Sequence, residues 1–208
     1  MNNPWLKIPP EDYDNHMASP EVAQSQMIAK LFEESLLKCQ PSFVAVPGCA
    51  TGNGFEKINW TKIDRLDAID INPGFLKIAE ARFENHKDKI SFKCMDLAKE
   101  QLEENKYDLI FAALIFEYVP IDTLLTNFHK ALKDEGMLSV VLQMESETHP
   151  AVSKTKYKSL EKLSTILHPL TPEVFLQKAE ETGLNPIRQK RFQLASGKEF
   201  YFAELNVR

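Results

Sequence analysis

Hydrophobic positions in this chain fall into two alternating patterns. Short apolar or alternating runs at residues 43–46, 66–70, 90–94, 107–112, 137–143, 186–194 and 199–206 read as strands. Between them, apolar residues recur at helical spacing over 54–60, 73–86, 121–133, 155–167 and 172–182. Asn72-Pro73 and Thr171-Pro172 each pair a capping residue with proline at the first helical position. Phe75, Leu76, Ile78, Ala79 and Phe83 form the apolar stripe of the first of these two helices, and Gly183 stands where a C-terminal glycine cap belongs. Such alternation predicts an α/β fold with a mainly parallel sheet of seven strands. The last two strands are separated only by Ala195-Ser196-Gly197-Lys198, so they are expected to form an antiparallel hairpin at one edge.

The first 20 residues break this rhythm. They are rich in proline and aromatics, and Trp5, Leu6, Ile8, Tyr13 and Met17 call for burial. An irregular arm packed on the domain is expected. A helix is then expected to start at Ser19-Pro20-Glu21, to bury Val22, Met27, Ile28, Leu31, Phe32, Ser35 and Leu36 on one side, and to stop at Pro41. The expected organisation is one domain over 1–208, with 1–40 as arm and helix forming a lid and 41–208 as the core.

Composition narrows the partners. A net charge of −5 argues against gripping nucleic acid through its phosphates, which needs a basic face. The run Lys154-Thr155-Lys156-Tyr157-Lys158 with Lys162 reads as a solvated helix face. Cys39, Cys49 and Cys94 are odd in number and widely spaced, which fits a reducing cytoplasm better than a disulfide framework. No CxxC or histidine pair suggests zinc. Met1-Asn2-Asn3-Pro4-Trp5 has neither a basic nor an apolar leader segment, and no apolar run is long enough to span a bilayer. A cytoplasmic monomer or homodimer without membrane contact is expected.

The candidate chemistry sits where strands meet helices. After Phe43-Val44-Ala45-Val46 comes Pro47-Gly48-Cys49-Ala50-Thr51-Gly52-Asn53-Gly54, a turn whose glycines allow positive φ and close approach to a ligand. Asp70 ends the second strand, where a carboxylate can accept from both hydroxyls of a ribose. Asp96 follows the third strand, and Ala112-Ala113-Leu114-Ile115-Phe116-Glu117-Tyr118 closes the fourth. Glu117 and Tyr118 are polar amid apolar neighbours, so each has either a structural partner or a role toward ligand. His16 and Tyr13 on the arm can close over the crevice, and Glu145 and His149 follow the fifth strand.

In order and spacing these features resemble the class I S-adenosylmethionine-dependent methyltransferases, over roughly residues 40–206. The resemblance implies a Rossmann-like three-layer sandwich with a C-terminal antiparallel pair. It further implies that Gly48, Cys49, Ala50, Gly52 and Asn53 wrap the methionine and ribose parts of the cofactor, and that Asp70 binds the ribose. Ile71 would lie against the adenine, Asp96 would accept from its amino group with Leu97 alongside, and Ala112 and Ala113 would lie near the methyl group. Tyr13-Asp14-Asn15-His16-Met17 looks like the lid of small-molecule members. Two positions depart from the family. Val46 stands where many members carry an acid, and Ala50 where they commonly have glycine, which is tolerated if φ stays negative.

The expected function is methyl transfer from S-adenosylmethionine to a small-molecule acceptor by in-line displacement, releasing S-adenosylhomocysteine. His16, Glu117 and Tyr118 are the expected groups for proton handling or orientation. Methylation of protein or RNA is the alternative enzymatic reading, and a non-catalytic nucleoside-binding regulatory domain is the alternative of another class.

Overall fold

In the computed structural model, which describes residues 3–20, 22–145, 152–153 and 155–207, β1 (Phe43–Pro47) lies near the middle of a seven-stranded sheet. The other strands are β2 (Arg65–Asp70), β3 (Ile90–Cys94), β4 (Tyr107–Ala113), β5 (Leu132–Gln143), β6 (Leu184–Gln193) and β7 (Glu199–Val207), in the spatial order β3-β2-β1-β4-β5-β7-β6. β1 to β5 pair in parallel, and β7 runs antiparallel to both β5 and β6. The expected hairpin is present. Only its second strand opposes the rest of the sheet, so the antiparallel feature is one inserted strand rather than two. Strand order reverses between β1 and β4, which opens a crevice beyond their carboxyl ends.

Among the described residues, five α-helices surround the sheet: α1 (Pro10–Ala18), α2 (Gln24–Cys39), α3 (Pro73–Arg82), α4 (Ile121–Ala131) and α5 (Pro172–Glu181). On one face, Phe128 of α4 and Phe175 of α5 pack with Ile110, Leu138, Val140 and Ala203. On the other, Ile28, Leu31 and Phe32 of α2 pack with Val44, Leu109, Phe111 and Phe202. Burying each such side chain contributes about 1.5–3 kcal/mol relative to exposure. The parallel strands are buried on both faces, which explains their continuous apolar runs. A third cluster joins the arm to the core: Ile8, Ala50, Phe75, Leu160 and Leu163 are buried together, with Trp5, Tyr13 and Tyr118 against them.

Several expected boundaries shift for local reasons. Residues 10–18 of the arm are helical. Pro10 opens α1 and Glu11 and Asp12 fill its first turn, where acids favour the helix dipole. Ser19-Pro20 does not start the next helix. Ser19 caps the end of α1, its hydroxyl donating to the His16 carbonyl at 2.9 Å, and α2 begins only at Gln24 after Ala23 at φ 50°. The helix expected over 54–60 is a single 3₁₀ turn at Phe55–Lys57, because Asn59 folds back to accept from the Thr61 amide at 3.1 Å. Residues 158–165 are 3₁₀ rather than α. There the Ser164 and Thr165 hydroxyls donate to carbonyls three residues back. The helix expected over 73–86 ends at Arg82 and continues as a 3₁₀ turn at Glu84–His86. The helix expected over 121–133 gives way at Leu132, where β5 starts five residues early and bulges against β4 before its register settles at Met137.

Candidate cofactor and active site

The carboxyl ends of β1, β2, β3 and β4 open into one cavity roofed by the arm and α1. Most of the expected site residues line it: Tyr13 and His16 from the roof, Gly48, Cys49, Ala50 and Asn53 from the β1 loop, Asp70 and Ile71 from β2, Asp96 and Leu97 after β3, and Ala113, Glu117 and Tyr118 from the β4 end, whereas Gly52 and Ala112 do not. The protein brings together in space what the chain spreads over a hundred residues.

The loop after β1 owes its shape to backbone conformation and to Asp70. Gly48, Gly52 and Gly54 all have positive φ. A Cβ on Gly52 would lie 2.7 Å from the Phe83 ring, so only glycine fits there. Ala50 does not keep the negative φ expected of it: it sits at 47°, a left-handed conformation that costs an L-residue about 1–2 kcal/mol. Asp70 holds that conformation. Its Oδ2 accepts from the Ala50 amide at 2.9 Å and its Oδ1 from the Asn72 amide at 2.8 Å. Burial pushes its carboxyl up to about 6, against the pull of those amides. Burial, with Asp70 as the next cause, also raises the Tyr13 phenol and the Cys49 thiol.

Asp96 is both lining and cap. Its Oδ1 accepts from the Ala98 amide at 3.1 Å and its Oδ2 from Lys99 at 2.6 Å. Asn53 lines the cavity, but its amide donates to the Ser25 carbonyl at 3.0 Å and so ties the loop to α2. The roof is pinned to the loop by Arg82, which donates to Asp14 at 2.5 Å and to the Thr51 hydroxyl at 2.9 Å, while Thr51 donates to Asp14. Asn72 adds two donations, to the carbonyls of Trp5 at 2.9 Å and Ile8 at 3.1 Å.

At the β4 end, Glu117 is 2% exposed. Its Oε1 accepts from the Gln143 amide at 2.8 Å, and its Oε2 is buried without a partner among the described residues. Burial pushes this carboxyl up to about 7. His16 Nδ1 lies 3.0 Å from Thr155 Oγ1, and burial followed by the charge of Lys198 lowers the imidazole. Burial likewise raises the Tyr118 phenol.

Among the polar lining residues that escaped the sequence are Gln24, Gln143 and Lys198. Gln24 and Gln143 hydrogen-bond to each other at 3.2 Å beside Glu117, and Lys198 is 4% exposed with its ammonium pulled down to about 8 by burial. Lys198 lies in a hairpin turn, where a lysine normally faces water, so nothing in the pattern marks it. Glu145 is exposed and does not line the cavity, and His149 and Lys154 lie outside the described residues. Lys156, Lys158 and Lys162 are exposed while Leu160 and Leu163 turn inward, as a solvated face requires.

Residues 44–136 match the model of a family described as a methyltransferase domain. Over that stretch the chain is similar to methyltransferase domains, and its seven-stranded, mostly parallel sheet has the Rossmann-like order of that fold. It is 30% identical over 95 residues to the malonyl-[acyl-carrier protein] O-methyltransferase of Acetivibrio thermocellus, a match covering 44% of this chain and 32% of that protein. It is 34% identical over 103 residues to a hybrid PKS-NRPS synthetase of Penicillium citrinum, covering 45% of this chain and 3% of that protein. The chain thus spans a third or less of these curated relatives. In fold it is similar to the N-methyltransferase NodS of Bradyrhizobium japonicum WM9, solved in complex with S-adenosyl-L-homocysteine, with a TM-score of 0.71, 18% identity and 99% of each chain covered. No helix among the described residues is long and apolar enough to cross a membrane, and none of the three cysteines is in a disulfide.

Proposed function

We propose that this chain binds S-adenosylmethionine across the ends of β1 to β4 and transfers its methyl group to a small-molecule acceptor inside the same cavity. The observation that carries the proposal is the joint placement of the left-handed β1 loop, Asp70 and Asp96 on one cavity wall beneath a roof formed by α1. When bound, S-adenosylmethionine supplies a methyl group already activated by its sulfonium. The protein has then to position an acceptor and exclude water.

Asp70 presents each of its oxygens with one lone pair engaged by a loop amide and a second available to a ribose hydroxyl. Asp96 faces the adenine amine beside Ile71 and Leu97. The β1 loop offers backbone groups to the tail. His16 and Tyr118 bound the acceptor side, where the lowered imidazole remains neutral at pH 7 and able to accept a proton.

A roof pinned by Arg82 and Asn72 supports a small acceptor over a protein or RNA strand, which would need an open groove. The relatives' names, an O- and an N-methyltransferase, support oxygen and nitrogen as the acceptor atoms to examine first. Calorimetry with S-adenosylhomocysteine is the test. Wild type should bind it, and Asp70→Asn should weaken binding at least about tenfold, or about 1.4 kcal/mol. Absence of binding by wild type would overturn the cofactor reading, and unchanged binding by Asp70→Asn would overturn the ribose role.

A further inference from the structure

Among the described residues, three carboxylates line the cavity: Asp96 after β3, Asp70 on β2 and Glu117 beyond β4. The sheet order sets them along a line, because β3, β2, β1 and β4 are successive neighbours. At roughly 4.8 Å per strand, the ends of β3 and β4 stand about 14 Å apart. With the adenine at the β3 end and the ribose at β2, the rod-shaped donor points its amino-acid tail across β1 toward β4.

That tail carries an ammonium, and a buried cation needs an anionic partner. β1 cannot supply one, because Val46 at its end is apolar and 6% exposed. Asp70 and Asp96 each have both oxygens engaged once within the chain, and their remaining lone pairs are committed to the ribose and the adenine. Glu117 differs. One oxygen is fixed by the Gln143 amide, which orients the carboxyl, and the other is buried in the cavity lining with no donor among the described residues. Leaving such an oxygen unsatisfied is unfavourable. An N–H from a ligand removes that cost.

We infer that Glu117 is the receptor for the α-ammonium of the methyl donor, so that its Oε2 accepts from the tail while Asp70 holds the ribose. This rests on the cofactor reading above. It takes Glu117 out of the expected set of proton-handling groups and leaves His16 and Tyr118 on the acceptor side. The β1 loop supports the geometry: Gly48, whose missing side chain would face Ile115 at 3.5 Å, packs directly against the segment that carries Glu117.

Two ligands separate the possibilities. S-adenosylhomocysteine has the amino-acid tail, and 5′-methylthioadenosine has the same nucleoside without it. Binding of both is measured by calorimetry on wild type and Glu117→Gln, which keeps the shape and the bond to Gln143. The expected result is a loss of tenfold or more for S-adenosylhomocysteine with 5′-methylthioadenosine unchanged. Retained binding of the second ligand also shows that the variant is folded, and Glu117→Ala should repeat the selective loss. Equal loss for both ligands, or no loss for either, overturns the assignment. If wild type binds neither, the cofactor reading fails and this assignment with it. If wild type binds both and Asp70→Asn weakens both while Glu117→Gln weakens neither, the cofactor reading stands and only the assignment falls.

Discussion

Ala50 holds a conformation that glycine adopts at little cost, and its own Cβ is the reason the loop is strained. Ala50→Gly should therefore raise stability by about 1 kcal/mol in chemical denaturation, the relief of left-handed strain exceeding the added freedom of the unfolded chain. Glu117 offers a second measurement at this scale. Burial raises its carboxyl from 4.5 to about 7, so folding takes up a proton between those values. Its favourable contribution is complete below about pH 4.5 and lost as pH rises through 7. Glu117→Gln, which cannot ionise, should match wild type near pH 4 and exceed it by about 3 kcal/mol at pH 8. Thermal melts across that range would show the two curves separating toward alkaline pH, and parallel curves would rule out the buried carboxyl as the source. Asp70 titrates in the same direction around 6, so wild type and Glu117→Gln should share a smaller fall in stability there.

At the scale of elements, α3 depends on Asn72 more than a surface helix depends on its cap. The side-chain oxygen of Asn72 accepts from the Gly74 amide at 2.8 Å, and its amide donates to two arm carbonyls. Asn72→Ala should cost about 2–3 kcal/mol, the sum of a lost cap and orphaned carbonyls, read as a shift in denaturation midpoint. Much of this element map was legible in the sequence. Asn72-Pro73, Thr171-Pro172 and Gly183 mark real helix ends, because a cap and its proline act locally. What was illegible depended on partners distant in sequence. The arm looked irregular because its helix is only nine residues long and is held by Arg82, while Asn72 holds the residues before it, both some 60 residues away. The site divides in the same way. Asp70, Asp96 and the β1 loop are visible as strand-end residues, whereas Lys198 reaches the cavity only through the pairing of β7 with β5.

For the whole molecule, stability is expected to be uneven. β4, β5 and β7 lie inside the sheet between two buried clusters, while the arm is held mainly by side-chain contacts at the mouth of the cavity. Amide hydrogen exchange should be slowest in β4, β5 and β7 and fastest over residues 3–20, and S-adenosylhomocysteine should slow exchange in that arm. An arm whose exchange ignores the ligand would not be acting as a roof.

The insertion of β7 between β5 and β6 has a consequence for synthesis. Strands β1 to β5 form the cavity wall that carries Asp70 and Asp96 and can assemble as they leave the ribosome, yet β5 then presents an open edge. That edge waits through more than fifty residues for the last strand in chain order, and β7 carries with it the turn that turns Lys198 inward. The nascent chain thus acquires that wall before the one that carries Lys198, which makes β5 the segment a chaperone has most reason to shield.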